Sequence, residues 1–361
     1  MVRPAARSTT LRRLLGAPIA LLYGGVLRLR HALYDAGVLR SSAPSLPTVV
    51  VGNVALGGTG KTPHVELVLR TLRDVGTLAT LSRGYGRSGT EVREVMGTEA
   101  AEAVGDEPLQ LKRHFPQVRV FVGADRVKAL EHIATAAPEV KAVVLDDALQ
   151  HRPVKARLNL VLTTWSKPWS DDALLPAGTL RDLPFRARQA EAVIVTKCPH
   201  APTLAEQAAW RKKLGLRPEQ ALFFSGLRYG PLRWLDGRSD AVPEGPDVDA
   251  LLVTGIADPG PLVAEVQRRW GRVEHAAFPD HHRFTPADLA RLAALFGTFA
   301  GRRKTLITTE KDAMRLRSVI PGSALEQVPV AVIGVEAVIL TEPERFSTLL
   351  HHHVGPHPAH R

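Results

Sequence analysis

Near its start the chain carries fourteen uncharged positions, Leu14 to Leu27, holding Leu14, Leu15, Ile19, Leu21, Leu22 and Tyr23 between Arg12-Arg13 and Arg28. A bilayer core asks for about 20 apolar residues, so this run is short. Arginines on both sides also fail to give the one-sided positive charge of a single span. The pattern predicts a basic, apolar helix over 1–35 that lies on a membrane surface. A signal peptide begins in a similar way, but no small-x-small cleavage site follows this run cleanly.

From Leu46 the pattern changes to short, continuous Val- and Leu-rich runs separated by turn residues and helix-like stretches. Strands are predicted at 48–51, 77–81, 118–122, 142–145, 158–162 and 192–195, with helices at 64–74, 106–115 and 125–136. Runs apolar at every position suit strands covered on both faces, as in a mostly parallel sheet flanked by helices. Between 228 and 248 stand Gly230, Pro231, Gly237, Pro243, Gly245 and Pro246, a density of breakers that predicts a domain connection. A second α/β alternation follows, with strands at 251–254, 305–308 and 330–333 and helices at 259–270 and 286–299. The expected organisation is therefore a membrane-associated helix over 1–35, a larger domain over 36–227, a linker over 228–248, a smaller α/β domain over 249–345 and a disordered His-rich tail over 346–361.

Composition narrows the setting. Apolar residues at 45% and charged residues at 23% describe globular protein rather than disorder. The single cysteine, Cys198, cannot close an intrachain disulfide and fits a reducing compartment. A net charge of +11 points to polyanionic partners, and seven arginines against one acid in residues 1–40 place much of that charge beside the apolar run. With only 5% aromatic residues and no interleaved basic-aromatic strand, base stacking has little to work with, so nucleic acid is not the expected partner.

The chemistry begins after the first predicted strand, at Gly52-Asn53-Val54-Ala55-Leu56-Gly57-Gly58-Thr59-Gly60-Lys61-Thr62-Pro63. Gly60, Lys61 and Thr62 fit the phosphate-loop spacing, whereas its first glycine falls on Ala55. Gly57, Gly58, Thr59 and Gly60 let backbone N–H groups turn inward toward phosphate oxygens. Lys61 then neutralises charge between phosphates, Thr62 supplies a hydroxyl to Mg²⁺, and Pro63 suits the first turn of the following helix. Such a site needs a carboxylate at the tip of a neighbouring strand, and Asp146-Asp147 ends the run Ala142–Leu145. Two adjacent acids repel each other without a cation. The expected fold is thus a P-loop NTPase-type sheet domain with a smaller α/β domain and an N-terminal membrane-associated helix.

Further segments complete a pattern: Ser82-Arg83-Gly84-Tyr85-Gly86-Arg87, Gly105-Asp106-Glu107-Pro108, Asp146-Asp147-Ala148-Leu149-Gln150-His151, Leu175-Pro176-Ala177-Gly178-Thr179-Leu180-Arg181-Asp182, Asp280-His281-His282 and Thr309-Glu310-Lys311-Asp312-Ala313. In order and spacing, from about residue 11 to residue 345, they resemble the tetraacyldisaccharide 4'-kinases, the lipid A 4'-kinases of Gram-negative bacteria. The chain departs from that family's usual Gly-Phe at Ala148-Leu149 and from its usual glutamate at Asp182. The resemblance implies ATP-dependent phosphorylation of the 4'-hydroxyl of a tetraacylated glucosamine disaccharide 1-phosphate at the cytoplasmic face of the inner membrane. It implies ATP and Mg²⁺ as cofactors and no obligate protein partner. It also implies that Lys61 and Thr62 grip phosphate and metal, that Asp146 and Asp147 serve the metal, and that Asp106 with His281 handles the proton of the acceptor hydroxyl. Arg126, Gln150, His151, Arg181 and Asp182 fall where the family contacts lipid or phosphate, work that suits arginine's bidentate fork.

The rival reading is a P-loop GTPase or switch protein with no small-molecule acceptor. Guanine recognition in that class uses Asn-Lys-x-Asp at a strand end, and Thr196-Lys197-Cys198-Pro199 lacks both the Asn and the Asp.

Overall fold

The computed structural model describes residues 5–355 except 86, 88, 100, 281 and 300–302, and leaves out the side chains of residues 5–11, 101 and 102. In chain order the elements are α1 (Ala5–Asp35), β1 (Thr48–Asn53), α2 (Lys61–Thr71), β2 (Leu78–Ser82), β3 (Arg93–Glu94), α3 (Ala101–Val104), α4 (Asp106–His114), β4 (Arg119–Val122), α5 (Arg126–Ala136), β5 (Ala142–Asp146), β6 (Leu158–Thr164), α6 (Pro184–Gln189), β7 (Ala192–Thr196), α7 (Leu204–Leu214) and β8 (Ala221–Trp234). There follow β9 (Asp249–Thr254), α8 (Gly260–Arg269), β10 (Val273–Ala277), α9 (Pro286–Gly297), β11 (Lys304–Thr309), α10 (Glu310–Leu316), β12 (Val330–Ile339) and α11 (Pro343–Val354).

Contacts group the described residues into two compact units. The first holds residues 1–97, 115–227 and 337–361, and the second holds 98–114 and 228–336. The sheet of the first unit runs β8-β7-β6-β1-β5-β2-β4-β3. Its pairings are parallel except for β3 against β4. Every residue of β1, β2, β5 and β7 is buried, as their unbroken apolar runs predict. Because β1 lies between β5 and β6, the phosphate loop and the carboxylates ending β5 leave neighbouring strands at the same sheet edge. The second unit has a parallel sheet ordered β10-β9-β11-β12. It has its own core of Leu251, Val253, Leu289, Leu292, Leu306 and Val332.

Helix α1 forms as its pattern predicts, but its faces reverse the usual amphipathic arrangement. Gly16, Ala20, Gly24, Leu27 and His31 are buried, while Leu14, Leu15, Ile19, Leu21, Leu22, Val26 and Leu29 point outward. Small residues allow close approach: a Cβ on Gly16 would stand 2.8 Å from the Ala177 backbone. Large side chains are left to the surroundings, with Leu21 and Leu22 each 73% exposed. Among the described residues, no helix is long and apolar enough to cross a membrane.

Two expectations need correction. Residues 228–234, predicted as part of a linker, continue β8 as strand despite Gly230 and Pro231. The stretch from 346, predicted as a disordered tail, is helical to Val354, because Phe346, Leu350 and Val354 recur at helical spacing and are buried. His351 to His353 therefore lie on α11, with His351 bonded to Asp74 at 3.0 Å. His357 and His360 lie outside the described residues. Cys198 is packed in the core of the first unit, and burial pushes its thiol up to about 12.

Candidate functional site

The phosphate loop of the first unit is held by hydrogen bonds between neutral groups. Gly57 and Gly60 have positive φ, 107° and 86°, which only glycine adopts without strain, whereas Ala55 pairs with Leu180 in an antiparallel bridge. An extended bridge asks for no positive φ, so the position does not require glycine. Asn53 donates to the Thr59 hydroxyl at 2.8 Å, and the Thr196 hydroxyl donates to the Thr59 carbonyl at 2.9 Å. His64 lies one turn after Gly60, so its Nδ1 reaches the Gly60 carbonyl at 2.7 Å while Nε2 meets the Ser225 hydroxyl at 2.8 Å. Burial lowers the His64 pKa to about 4, so the ring is neutral and keeps these two roles at physiological pH. Helix α2 begins at Lys61 with Thr62 second, and its N-terminal N–H groups and dipole favour an anion at the loop.

Opposite the loop stand Asp146, buried at the end of β5, and Asp147, a non-glycine residue at φ 53°. Lys61 Nζ lies 3.8 Å from Asp147 Oδ2, and Arg181 Nη1 donates to the same oxygen at 2.9 Å. Burial would raise the Asp147 pKa, but the Arg181 hydrogen bond and the Lys61 charge hold it below the usual carboxylate range. Arg181 also donates to Asn53 Oδ1 at 2.6 Å, linking the carboxylate to the root of the phosphate loop. Thr62 and the two carboxylates give hard oxygen donors too few for an all-protein cage, the set that Mg²⁺ shares with substrate phosphates. Among the described residues, no group of three or more His, Cys, Asp or Glu forms such a cage.

Beside the carboxylates lies a cationic cluster. Arg126, the first residue of α5, is buried, and its guanidinium is depressed by burial and by Arg83. His151 is lowered by burial and then by the charges of Arg126, Arg30 and Arg83, against a raising influence from Asp125. Nε of Arg126, Nε2 of His151 and Nε of Arg181 are buried with no hydrogen-bond partner among the described residues. Leaving such a group unpaired costs about 1–3 kcal/mol. Gln150 instead turns inward and donates to the Asn53 carbonyl at 2.9 Å. Asp182, expected to contact substrate, has no exposed surface and hydrogen-bonds to buried His31 at 2.7 Å. In this structure Asp182 is linked to the site through its neighbour Gln150.

The second unit gathers the other motifs. Asp106 opens α4, 3.6 Å from Arg315 Nη1. Arg315 bonds in turn to Asp312, which is fully buried, and to the Gly255 carbonyl at 3.3 Å. Asp312 accepts from Gly255 N–H at 2.9 Å and the Thr309 hydroxyl at 2.7 Å. Lys311 pairs with Glu107 at 3.6 Å and with Asp280 at 3.2 Å. His281 lies outside the described residues, and neighbouring His282 is bonded to Asp288 at 2.9 Å. Of these supporting groups, His64 carried a sequence signal in its four-residue spacing from Gly60; Ser225, His31 and Arg315 carried none.

Known proteins resemble this chain along nearly all of its length. The model of the tetraacyldisaccharide-1-P 4'-kinase family matches residues 12–355. A protein named tetraacyldisaccharide 4'-kinase from Bacteroides thetaiotaomicron is 38% identical over 310 residues, covering 83% of this chain and 82% of its own length. One of the same name from Flavobacterium johnsoniae is 38% identical over 313 residues, covering 87% and 90%. A crystal structure of LpxK from Aquifex aeolicus in complex with ATP superposes with a TM-score of 0.70 at 25% identity, covering 95% of this chain and 99% of that one.

Proposed function

This chain belongs to the tetraacyldisaccharide-1-P 4'-kinase family, and from that membership we infer how its residues divide the work. It is an ATP-dependent kinase that phosphorylates the 4'-hydroxyl of the tetraacylated disaccharide 1-phosphate in lipid A biosynthesis. The observation that carries the assignment of roles is the convergence of Lys61 and Arg181 on Asp147, with Arg181 also bonded to Asn53 at the root of the phosphate loop.

In this reading the loop from Gly57 to Gly60 and the start of α2 receive the phosphates of ATP, and Lys61 neutralises charge as the γ-phosphoryl departs. Thr62, Asp146 and Asp147 would hold Mg²⁺, which supplies charge neutralisation between phosphate oxygens when bound. Arg126 and His151 offer their buried N–H groups to an anionic part of the acceptor. Asp106, with His281, takes the proton of the attacking hydroxyl; phosphoryl transfer needs a well-placed acceptor more than a strong base. The outward apolar face of α1, flanked by Arg12, Arg13 and Arg28, supports seating on the cytoplasmic face of the inner membrane, where a lipid acceptor resides. A switch-protein reading has no support at Thr196, whose hydroxyl is committed to the phosphate loop.

The direct test is transfer of labelled phosphate from ATP to the disaccharide 1-phosphate in mixed micelles. Acceptor-dependent label at the 4' position is expected, and ATP hydrolysis without labelled lipid would overturn the reading.

A further inference from the structure

The segment carrying Arg181 is held from two sides. On one side it is tied to the root of the phosphate loop: Leu56 N–H donates to the Thr179 carbonyl at 2.8 Å. The N–H groups of Arg181 and Asp182 both donate to the Val54 carbonyl, at 2.9 and 3.2 Å. On the other side α1 grips it. The Tyr23 hydroxyl donates to the Arg181 carbonyl at 2.8 Å, and His31, two turns further along the same face, meets Asp182 Oδ1 at 2.7 Å.

The pair His31–Asp182 is enclosed, with each side chain 1% exposed. Arg152 approaches His31 Nδ1 at 3.3 Å and donates to the His31 carbonyl at 3.1 Å, so the ring hydrogen sits on Nε2, aimed at the carboxylate. Phe185 packs edge-on against the imidazole. Leu183 N–H donates to Asp182 Oδ1 at 2.8 Å, and Gln150 Nε2 reaches Oδ2 at 3.4 Å. Burial would raise the Asp182 pKa, but the hydrogen bonds from His31 and from the Leu183 N–H bring it below the usual range, so the pair holds a buried carboxylate. Removing one partner of such a pair strands a buried charge, which is relieved by uptake of a proton or by movement toward water, and either change remakes the contacts of Asp182. Movement of Asp182 would carry Arg181 away from Asp147 and Asn53, and would loosen Gln150 from the Asn53 carbonyl.

We propose that His31 is a positioning residue for phosphoryl transfer, a latch through which the seated N-terminal helix holds Asp182 and thereby sets Arg181 and Gln150 at the root of the phosphate loop. The helix is then a part of the nucleotide site as well as an attachment to the surroundings. The proposal rests on the reading of Lys61, Asp147 and Arg181 as the nucleotide site.

The test uses the full chain in mixed micelles and compares wild type with His31→Ala, His31→Gln, Tyr23→Phe and the double variant His31→Leu/Asp182→Asn. Mg²⁺·ATP binding is measured calorimetrically, kcat and KM for ATP are measured with the disaccharide, and folding is followed by thermal melting. Loss of a group supporting a phosphate or metal site commonly costs about 10–100-fold, so His31→Ala is expected to bind Mg²⁺·ATP about tenfold more weakly. The glutamine amide can place a donor near the position of Nε2, so His31→Gln recovers most of the binding, and Tyr23→Phe loses about two- to threefold. The double variant strands no charge and keeps a melting point near that of wild type, yet still binds nucleotide several-fold more weakly. Wild-type binding by folded His31→Ala or by the double variant overturns the proposal, as does a His31→Gln variant as impaired as the alanine. Should wild type bind Mg²⁺·ATP with the expected series but label no disaccharide, the acceptor reading fails and the latch stands. Normal labelling with a flat binding series defeats the latch alone.

Discussion

The two units stabilise their motif residues by different means. In the first, the phosphate loop is braced by buried bonds between neutral groups: Asn53 to Thr59, Thr196 to Thr59, His64 to Gly60 and to Ser225. In the second, ion pairs at helix starts order the motifs: Asp106 with Arg315, Arg315 with Asp312, and Lys311 with Glu107 and Asp280. Neutral bonds away from water keep their geometry whatever the ionic strength, which suits a cradle that must exist before a triphosphate arrives. Partly exposed ion pairs are weaker and screened by salt, and can exchange partners when a substrate brings its own charge. Arg315 and Asp312 are the rigid exception, enclosed enough to hold a fixed positive charge beside Asp106.

That contrast predicts separable kinetic signatures. Lys61→Ala should lower kcat by roughly 10³-fold, the upper range for removing one preorganised charge contact, and should also weaken ATP binding. Retained turnover in a folded Lys61→Ala variant would break the assignment of the first unit. Asp106→Asn should lower kcat by roughly 10²-fold, as for loss of a positioned proton acceptor, with ATP affinity unchanged. Equal losses of nucleotide affinity in both variants would erase the division of labour.

Smaller effects sharpen it. Leu21→Asn/Leu22→Asn should weaken pelleting with anionic vesicles by about tenfold or more, since burying each leucine is worth about 1.5–3 kcal/mol; unchanged pelleting would remove the seating role from this face. The neutral brace also has a pH signature. The His64 pKa is near 4 in the folded chain against 6.5 when unfolded. The unfolded chain therefore takes the proton first as pH falls. This stability is complete above about pH 6.5, declines toward pH 4 and amounts to about 3 kcal/mol over the full range. Urea midpoints at pH 7.5 and 5 should diverge less in His64→Asn, which keeps a donor toward Gly60 without titrating; an equal divergence would show that other groups dominate.

The sequence was legible where physics is local. Continuous Val-rich runs had to be buried strands, and glycines followed by Lys61-Thr62 after a strand had to form a turn into a helix. It was less legible where a residue's meaning depended on distant partners. Gly230 and Pro231 signalled a break, yet the strand runs through them. The histidines of α11 suggested a loose tail, although Phe346, Leu350 and Val354 carried a helical period.

By itself, then, the sequence determined the alternation of strands and helices, the phosphate loop with its carboxylates and the family, because each rests on neighbours within a few residues or on motif order along the chain. Only the tertiary structure decided which face of α1 is buried, that residues 98–114 group with 228–336, and that His31 closes on Asp182 across 151 positions. Periodicity can mark a helix as apolar, but burial of small residues with large ones left outside follows from the shape of the surface it meets. Pairing of a buried histidine with a distant carboxylate follows from enclosure, which no local pattern encodes.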